Sequence, residues 1–166
     1  GLNIVGKVNV SLSGESGSQM SIALGNQIIG FTKILEKDKP DLVLLLGDRG
    51  EMLAGAIVSL HLNIPIVHIH GGELSGTLDE PVGHATSKLS HYHFTATELS
   101  KERLIKMGEV ANNIFTIGAP GLDEIYNTQL IQRGALLKKY DINSNSPFIL
   151  FLFHPVAQQY KSVKEQ

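Results

Sequence analysis

The hydrophobic positions change period along the chain, and the change marks out the elements. After an extended start, Gly14-Glu15-Ser16-Gly17-Ser18 reads as a turn or cap. Met20, Leu24, Ile28, Phe31, Ile34 and Leu35 then recur at helical spacing, and this helix ends before Pro40. From there an alternation sets in: strand 42–46, helix 51–62, strand 66–70, helix 81–90, strand 92–96, helix 98–107 and strand 114–117. One or two helical stretches follow up to Tyr140, then a polar turn at 143–147 and a final apolar strand over 148–153. Short strands apolar on both faces, alternating with amphipathic helices, predict a doubly wound parallel α/β sheet covered on both sides.

In such sheets ligands bind beyond the carboxyl ends of the strands. The polar clusters obey that order. Gly47-Asp48-Arg49-Gly50-Glu51 follows the first clear strand, His70-Gly71-Gly72-Glu73 the second, and Thr95-Ala96-Thr97-Glu98 the third. Gly118-Ala119-Pro120-Gly121 and His154-Pro155 follow the last two, so five loops are expected on one rim.

Composition narrows the class. The 166 residues are 42% hydrophobic and 18% charged, a globular balance, and no apolar run approaches the roughly 20 residues that cross a bilayer. Lys and Arg number 14 against 16 Asp and Glu without long blocks, so charge points to neither nucleic acid nor a membrane surface. The absence of cysteine excludes disulfides, thiolate nucleophiles and cysteine-bound zinc. With no signal-peptide layout at the start, a cytoplasmic protein is the simplest reading. The opening without Met, and the end soon after the 148–153 strand, predict a piece of a longer protein.

Six titratable groups are expected at the rim. Asp48 precedes a helix, where amides and the helix dipole favour an ionised carboxylate; helix capping, with Arg49 paired to Glu51, is the alternative. Strand alternation puts His68 and His70 on one face, and Gly71 and Gly72 let a backbone approach a ligand, with Glu73 in reach. His68 is expected as a hydrogen-bonded core residue, although a His-x-His pair with a carboxylate also suits zinc. Asp79 and Glu80 open a helix with Pro81 at its first position, where capping again competes; His84 and Lys88 share a face further on. Structural roles are expected for His61, His91 and His93. His154 ends the last strand and looks into the same crevice. Together Asp48, His70, Glu73, Asp79, Glu80 and His154 suit general acid–base chemistry.

The run from Pro40 to Met52, Ile64 to Glu73, Ser75 to Glu80, His84-Ala85, Ser87 to His91, Ala96-Thr97-Glu98, Gly118 to Asp123 and His154-Pro155 resembles the hydrolysing UDP-N-acetylglucosamine 2-epimerases of sialic acid and related nonulosonate pathways. The resemblance spans roughly 20–156. It implies one half of a two-domain, GT-B-like enzyme built of Rossmann-like domains: residues 1–156 as the N-terminal domain and 157–166 as the start of a linker. It implies anti elimination of UDP to a glycal, then addition of water, giving N-acetylmannosamine and UDP without a cofactor or metal. Asp48, His70, Asp79 and His154 then fall to catalysis, and Arg49, Glu51, Gly71, Gly72, Glu73, Glu80 and His84 to substrate binding. The partner is a UDP-sugar, with a homodimer or higher homo-oligomer expected.

Two positions depart from the family pattern. Many relatives carry Glu at His70 and Arg at Gly83, which brings in a related substrate such as a UDP-diacetamido-trideoxy sugar. Competing readings are a non-hydrolysing epimerase, a two-domain glycosyltransferase, a metal-dependent hydrolase using His68, His70 and Asp79, and a silent sugar-nucleotide sensor.

Overall fold

A computed structural model describes residues 2–10, 17–143 and 147–152. The chain divides into two compact units, Gly1–Gly118 and Ala119–Gln166.

The first unit is an α/β layer. Helix α1 (Gly17–Asp38) leads into β1 (Val43–Leu46), α2 (Gly50–His61), β2 (Ile66–Ile69), α3 (Asp79–Leu89), β3 (Tyr92–Thr95), α4 (Glu98–Lys106), a 3-10 turn at Ala111–Asn113 and β4 (Ile114–Thr116). All four strands are parallel and lie in chain order, β1-β2-β3-β4. Right-handed crossovers between neighbours in that order carry α2, α3 and α4 over the same face.

The pleat decides what that face buries. Leu45, His68, His93 and Ile114 stand in one cross-strand row, and all are buried. The next residues along, Leu46 and Phe115, belong to the opposite face and are 57% and 47% exposed, as is Leu44 at 58%. The parallel α/β sheet is therefore as predicted, but residues 2–118 put helices α2–α4 on one face of it only. Phe94 and Phe115 meet edge-on across the other, with ring centroids 5.8 Å apart.

The core itself is small and aliphatic, Leu45, Ala56 and Ile66 with Val43, Met52 and Leu89 against them. Helix α2 reaches it because Ala54, Gly55 and Ala56 present almost no side chain to the sheet. Helix α3 buries hydroxyls instead. Thr86 and Ser90 each donate to the carbonyl four residues earlier, at 2.9 and 2.8 Å, and the Ser87 hydroxyl has the His68 ring at 2.9 Å, which satisfies them without solvent. Segment 2–10 lies along α1, where Gly6 faces Ile34 and Gly30 faces Val8 at distances no Cβ would allow.

The second unit holds α5 (Gly121–Asn127) and α6 (Arg133–Lys139). The strand expected over 148–153 is not formed across its described residues, 148–152, where Ile149 and Leu150 are 93% and 89% exposed. Apolar residues become a strand only where a neighbour completes their ladder. Among the described residues no helix is long and apolar enough to cross a membrane.

Candidate active site

The site is assembled where β1 and β2 end. Gly47 leaves β1 at φ +91° and is held at both ends of its peptide. Its amide donates to the Ile69 carbonyl at 3.0 Å, and its carbonyl accepts from the His68 ring at 2.8 Å. Asp48 comes next. Helix α2 is N-capped by Arg49 without a side-chain hydrogen bond, and no hydrogen bond engages the Asp48 carboxylate among the described residues. The capping alternative for Asp48 is thus not what the fold uses. Arg49 and Glu51 do pair, at 3.4 Å.

His68 is fully buried, and both ring nitrogens are committed. A carbonyl can only accept, so Nε2 carries the proton toward Gly47. Burial depresses the pKa below 6.5, although the Gly47 carbonyl favours the charged form, and the ring is neutral with Nδ1 as an acceptor. The Ser87 hydroxyl lies 2.9 Å from that Nδ1 and 3.0 Å from the Gly83 carbonyl. His68 is the hydrogen-bonded core histidine the sequence predicts.

His70 lies just past the end of β2 and is left-handed at φ +66°, a conformation rare for a residue with a Cβ. Strand alternation no longer governs it. Its Nδ1 stands 3.4 Å from Glu73. The two glycines that follow have a packing role as well. A Cβ on Gly71 would lie 2.8 Å from the Ser87 hydroxyl, and one on Gly72, at φ +78°, only 2.4 Å from the Ser100 carbonyl. Their bareness admits the loop against α3 and α4. Arg103 of α4 donates to the Gly72 carbonyl, and His84 to that of Glu73 at 3.1 Å.

Helix α3 begins at Asp79, two residues before the predicted start at Pro81. Glu80 does not cap it: its carboxylate accepts from the Ser75 and Gly76 amides, both at 2.9 Å, and these bonds hold its pKa below the usual carboxylate value. Asp79 sits beside Thr77, whose hydroxyl reaches its carboxylate at 3.5 Å.

Asp48, His70, Gly72, Glu73, Asp79, Glu80 and His84 line one cleft of about 180 Å³ including its open mouth, and Gly83 completes the wall. Seven of the predicted site residues therefore converge from two strand ends and one helix. Arg49, Glu51 and Gly71 do not line it. His154 lies outside the described residues, and so do its expected place on the rim and that of Pro155. The Thr95–Glu98 loop is structural: Thr97 caps α4, accepting from the Ser100 amide at 3.1 Å. His93 is structural as well, bonded to Glu109 at 3.2 Å, and His91 accepts from the Ile66 amide. As for a metal, His68 has no free nitrogen for one, and no three His, Asp or Glu among the described residues are arranged to hold an ion.

Sequence reasoning missed Arg103, Ser87 and the structural use of Gly71 and Gly72. No local signal marks them, because each acts on a loop far away in the chain.

The family model of UDP-N-acetylglucosamine 2-epimerase matches residues 1–166. The chain belongs to that family. It is 52% identical to a UDP-N,N'-diacetylbacillosamine 2-epimerase (hydrolyzing) of Legionella pneumophila over 99% of its length and 44% of that protein's. It is 38% identical to a UDP-N-acetylglucosamine 2-epimerase of Neisseria meningitidis over 86% of the chain and 38% of the relative. Among solved structures, the Methanocaldococcus jannaschii UDP-GlcNAc 2-epimerase in complex with UDP-GlcNAc and UDP superimposes with a TM-score of 0.61 at 32% identity, covering 74% of this chain and 33% of that one. The chain thus spans less than half the length of these curated relatives, and its parallel sheet with flanking helices is the epimerase fold.

Proposed function

We propose that this chain carries the acid–base part of a hydrolysing UDP-sugar 2-epimerase. The observation that supports it is the convergence of Asp48, His70, Glu73 and Asp79 on one cleft, with the Asp48 carboxylate making no hydrogen bond among the described residues. The chemistry has three demands: removal of a weakly acidic C2 proton, departure of UDP from C1, and activation of water for attack on the resulting glycal. We assign Asp48 as an acid–base residue at the sugar carbons, with Asp79 and His70 as the partners that exchange protons with C2 and water. His154 is assigned to the departing diphosphate.

For the sugar, we favour UDP-N,N'-diacetylbacillosamine over UDP-N-acetylglucosamine, the substrate first expected from the sequence, and the 52% identity to the Legionella enzyme supports that choice. The second reading keeps support from the Neisseria relative and from the UDP-GlcNAc-bound fold neighbour. A cytoplasmic homo-oligomer remains part of the proposal.

The complete protein, given each UDP-sugar in D₂O, is expected to release free C2-epimerised sugar deuterated at C2, with faster turnover of the diacetamido substrate. In H₂¹⁸O the label enters at C1, because water attacks the glycal there. Retention of the original C2 hydrogen, or label confined to phosphate, would rule out elimination. A product still joined to UDP would make the enzyme non-hydrolysing.

A further inference from the structure

Of the described residues that line the cleft, only His70 combines a side chain with a left-handed backbone. A residue with a Cβ enters that region at a cost and keeps it only where its surroundings hold it there. On the strand side the hold is the sheet, since the His70 amide donates to the Phe94 carbonyl at 2.9 Å, just past the last paired residues of β2 and β3.

On the far side the hold comes from two helices. The Arg103 guanidinium of α4 donates to the Gly72 carbonyl, and the His84 ring of α3 to the Glu73 carbonyl at 3.1 Å. His84 lines the cleft, whereas Arg103 does not. Arg103 is part-buried behind the loop, and its charge also acts on the Glu80 carboxylate, which accepts the Ser75 and Gly76 amides. One guanidinium therefore braces the loop at Gly72 by a bond and at Glu80 by its field. It is charged at every working pH, so its bond to a carbonyl is stronger than a neutral one and does not titrate. Without that donor the loop can relax toward ordinary φ at His70, which turns the ring away from the Glu73 carboxylate 3.4 Å from it.

We propose that Arg103 is a positioning residue for the reaction: from behind the cleft it keeps the His70 loop in its left-handed course and so sets where the imidazole stands, without touching substrate. The proposal rests on the acid–base reading of His70. A proton-transfer geometry that is off by about an ångström loses roughly a hundredfold in rate.

Arg103→Gln in the complete protein is the test, with Lys106→Gln, which removes an exposed charge from the same helix, as the control. Arg103→Lys keeps the charge but not the planar fork of the guanidinium. Arg103→Gln should lower kcat by roughly tenfold or more with KM within about twofold of wild type. Arg103→Lys should fall between the two, and Lys106→Gln should leave both constants alone. The His70 ring signals in NMR should move in the same order, most in Arg103→Gln and not at all in Lys106→Gln. His70→Asn removes the ring while keeping a residue that tolerates left-handed backbone. Added to it, Arg103→Gln should cost no further activity, because it acts through the ring already removed. Unmoved His70 signals in both Arg103 variants, or a further loss of roughly tenfold in the double variant, overturn the role of Arg103 by itself. Should Arg103→Gln fail to fold, the same signals and rates in Arg103→Lys decide. Full turnover by His70→Asn overturns the acid–base reading of His70, and the positioning function with it.

Discussion

Asp48 and Glu80 are both acidic residues at the mouth of one cleft, yet their neighbours give them opposite characters. Glu80 accepts two backbone amides and is committed to ordering the 75–76 turn. Asp48 has no such partner among the described residues, and it interacts with the buried His68 ring only through its charge. A carboxylate that the fold keeps in place without bonding is available for proton transfer. Asp48→Asn is therefore expected to reduce turnover by roughly a hundredfold or more while leaving Tm within a degree or two of wild type, since no capping bond is lost. A collapse of Tm with the specific activity of the folded fraction retained would make Asp48 structural.

At the scale of elements, two histidines lie side by side where β2 pairs with β3. His68 and His93 are both buried, and burial is the main cause holding each pKa below 6.5, with Glu109 acting the other way on His93. Above pH 6.5 both rings are neutral in the folded and the unfolded chain alike, and they contribute no pH dependence. Below that value the unfolded chain takes up protons that the folded sheet excludes, so stability is lost until the lower folded pKa values are reached. The urea midpoint of the protein should fall between about pH 6.5 and 5, a window above the titration of ordinary carboxylates. His93→Gln should flatten part of that slope. A midpoint constant across the window would mean that the rings accept protons in place, most simply at the His93 Nδ1, which has no partner among the described residues.

At the scale of the whole molecule, the enclosed part of the cleft, about 10 Å³, is far smaller than the roughly 300 Å³ at which ligand pockets begin, and the diphosphate of a UDP-sugar needs donors of its own. The chain covers 44% of the Legionella relative. Expressed alone, the 166 residues should fold by circular dichroism yet bind UDP-sugar no tighter than roughly millimolar by calorimetry and show no turnover. Turnover by the isolated chain would place the nucleotide site within these residues.

Local pattern was sufficient for much of this. The period of the apolar residues determined four parallel strands and the helices between them to within a residue or two, because α/β crossovers combine strong local preference with one handedness. Residue order also determined that Asp48, His70 and Asp79 would lie on one rim, since strand ends in such sheets share an edge. Tertiary structure decided the rest. An apolar run such as 148–152 carries no information about whether a ladder neighbour exists, and strand alternation ended before His70 because the backbone turned left-handed there. The spacing Gly71-Gly72 could not reveal whether its missing side chains make room for a ligand or for the protein. The need for room on the protein's side came from Ser87 and Ser100, brought in by α3 and α4 from 15 or more positions away. Contacts of that range depend on how whole helices seat on a sheet, and no window of sequence contains both partners.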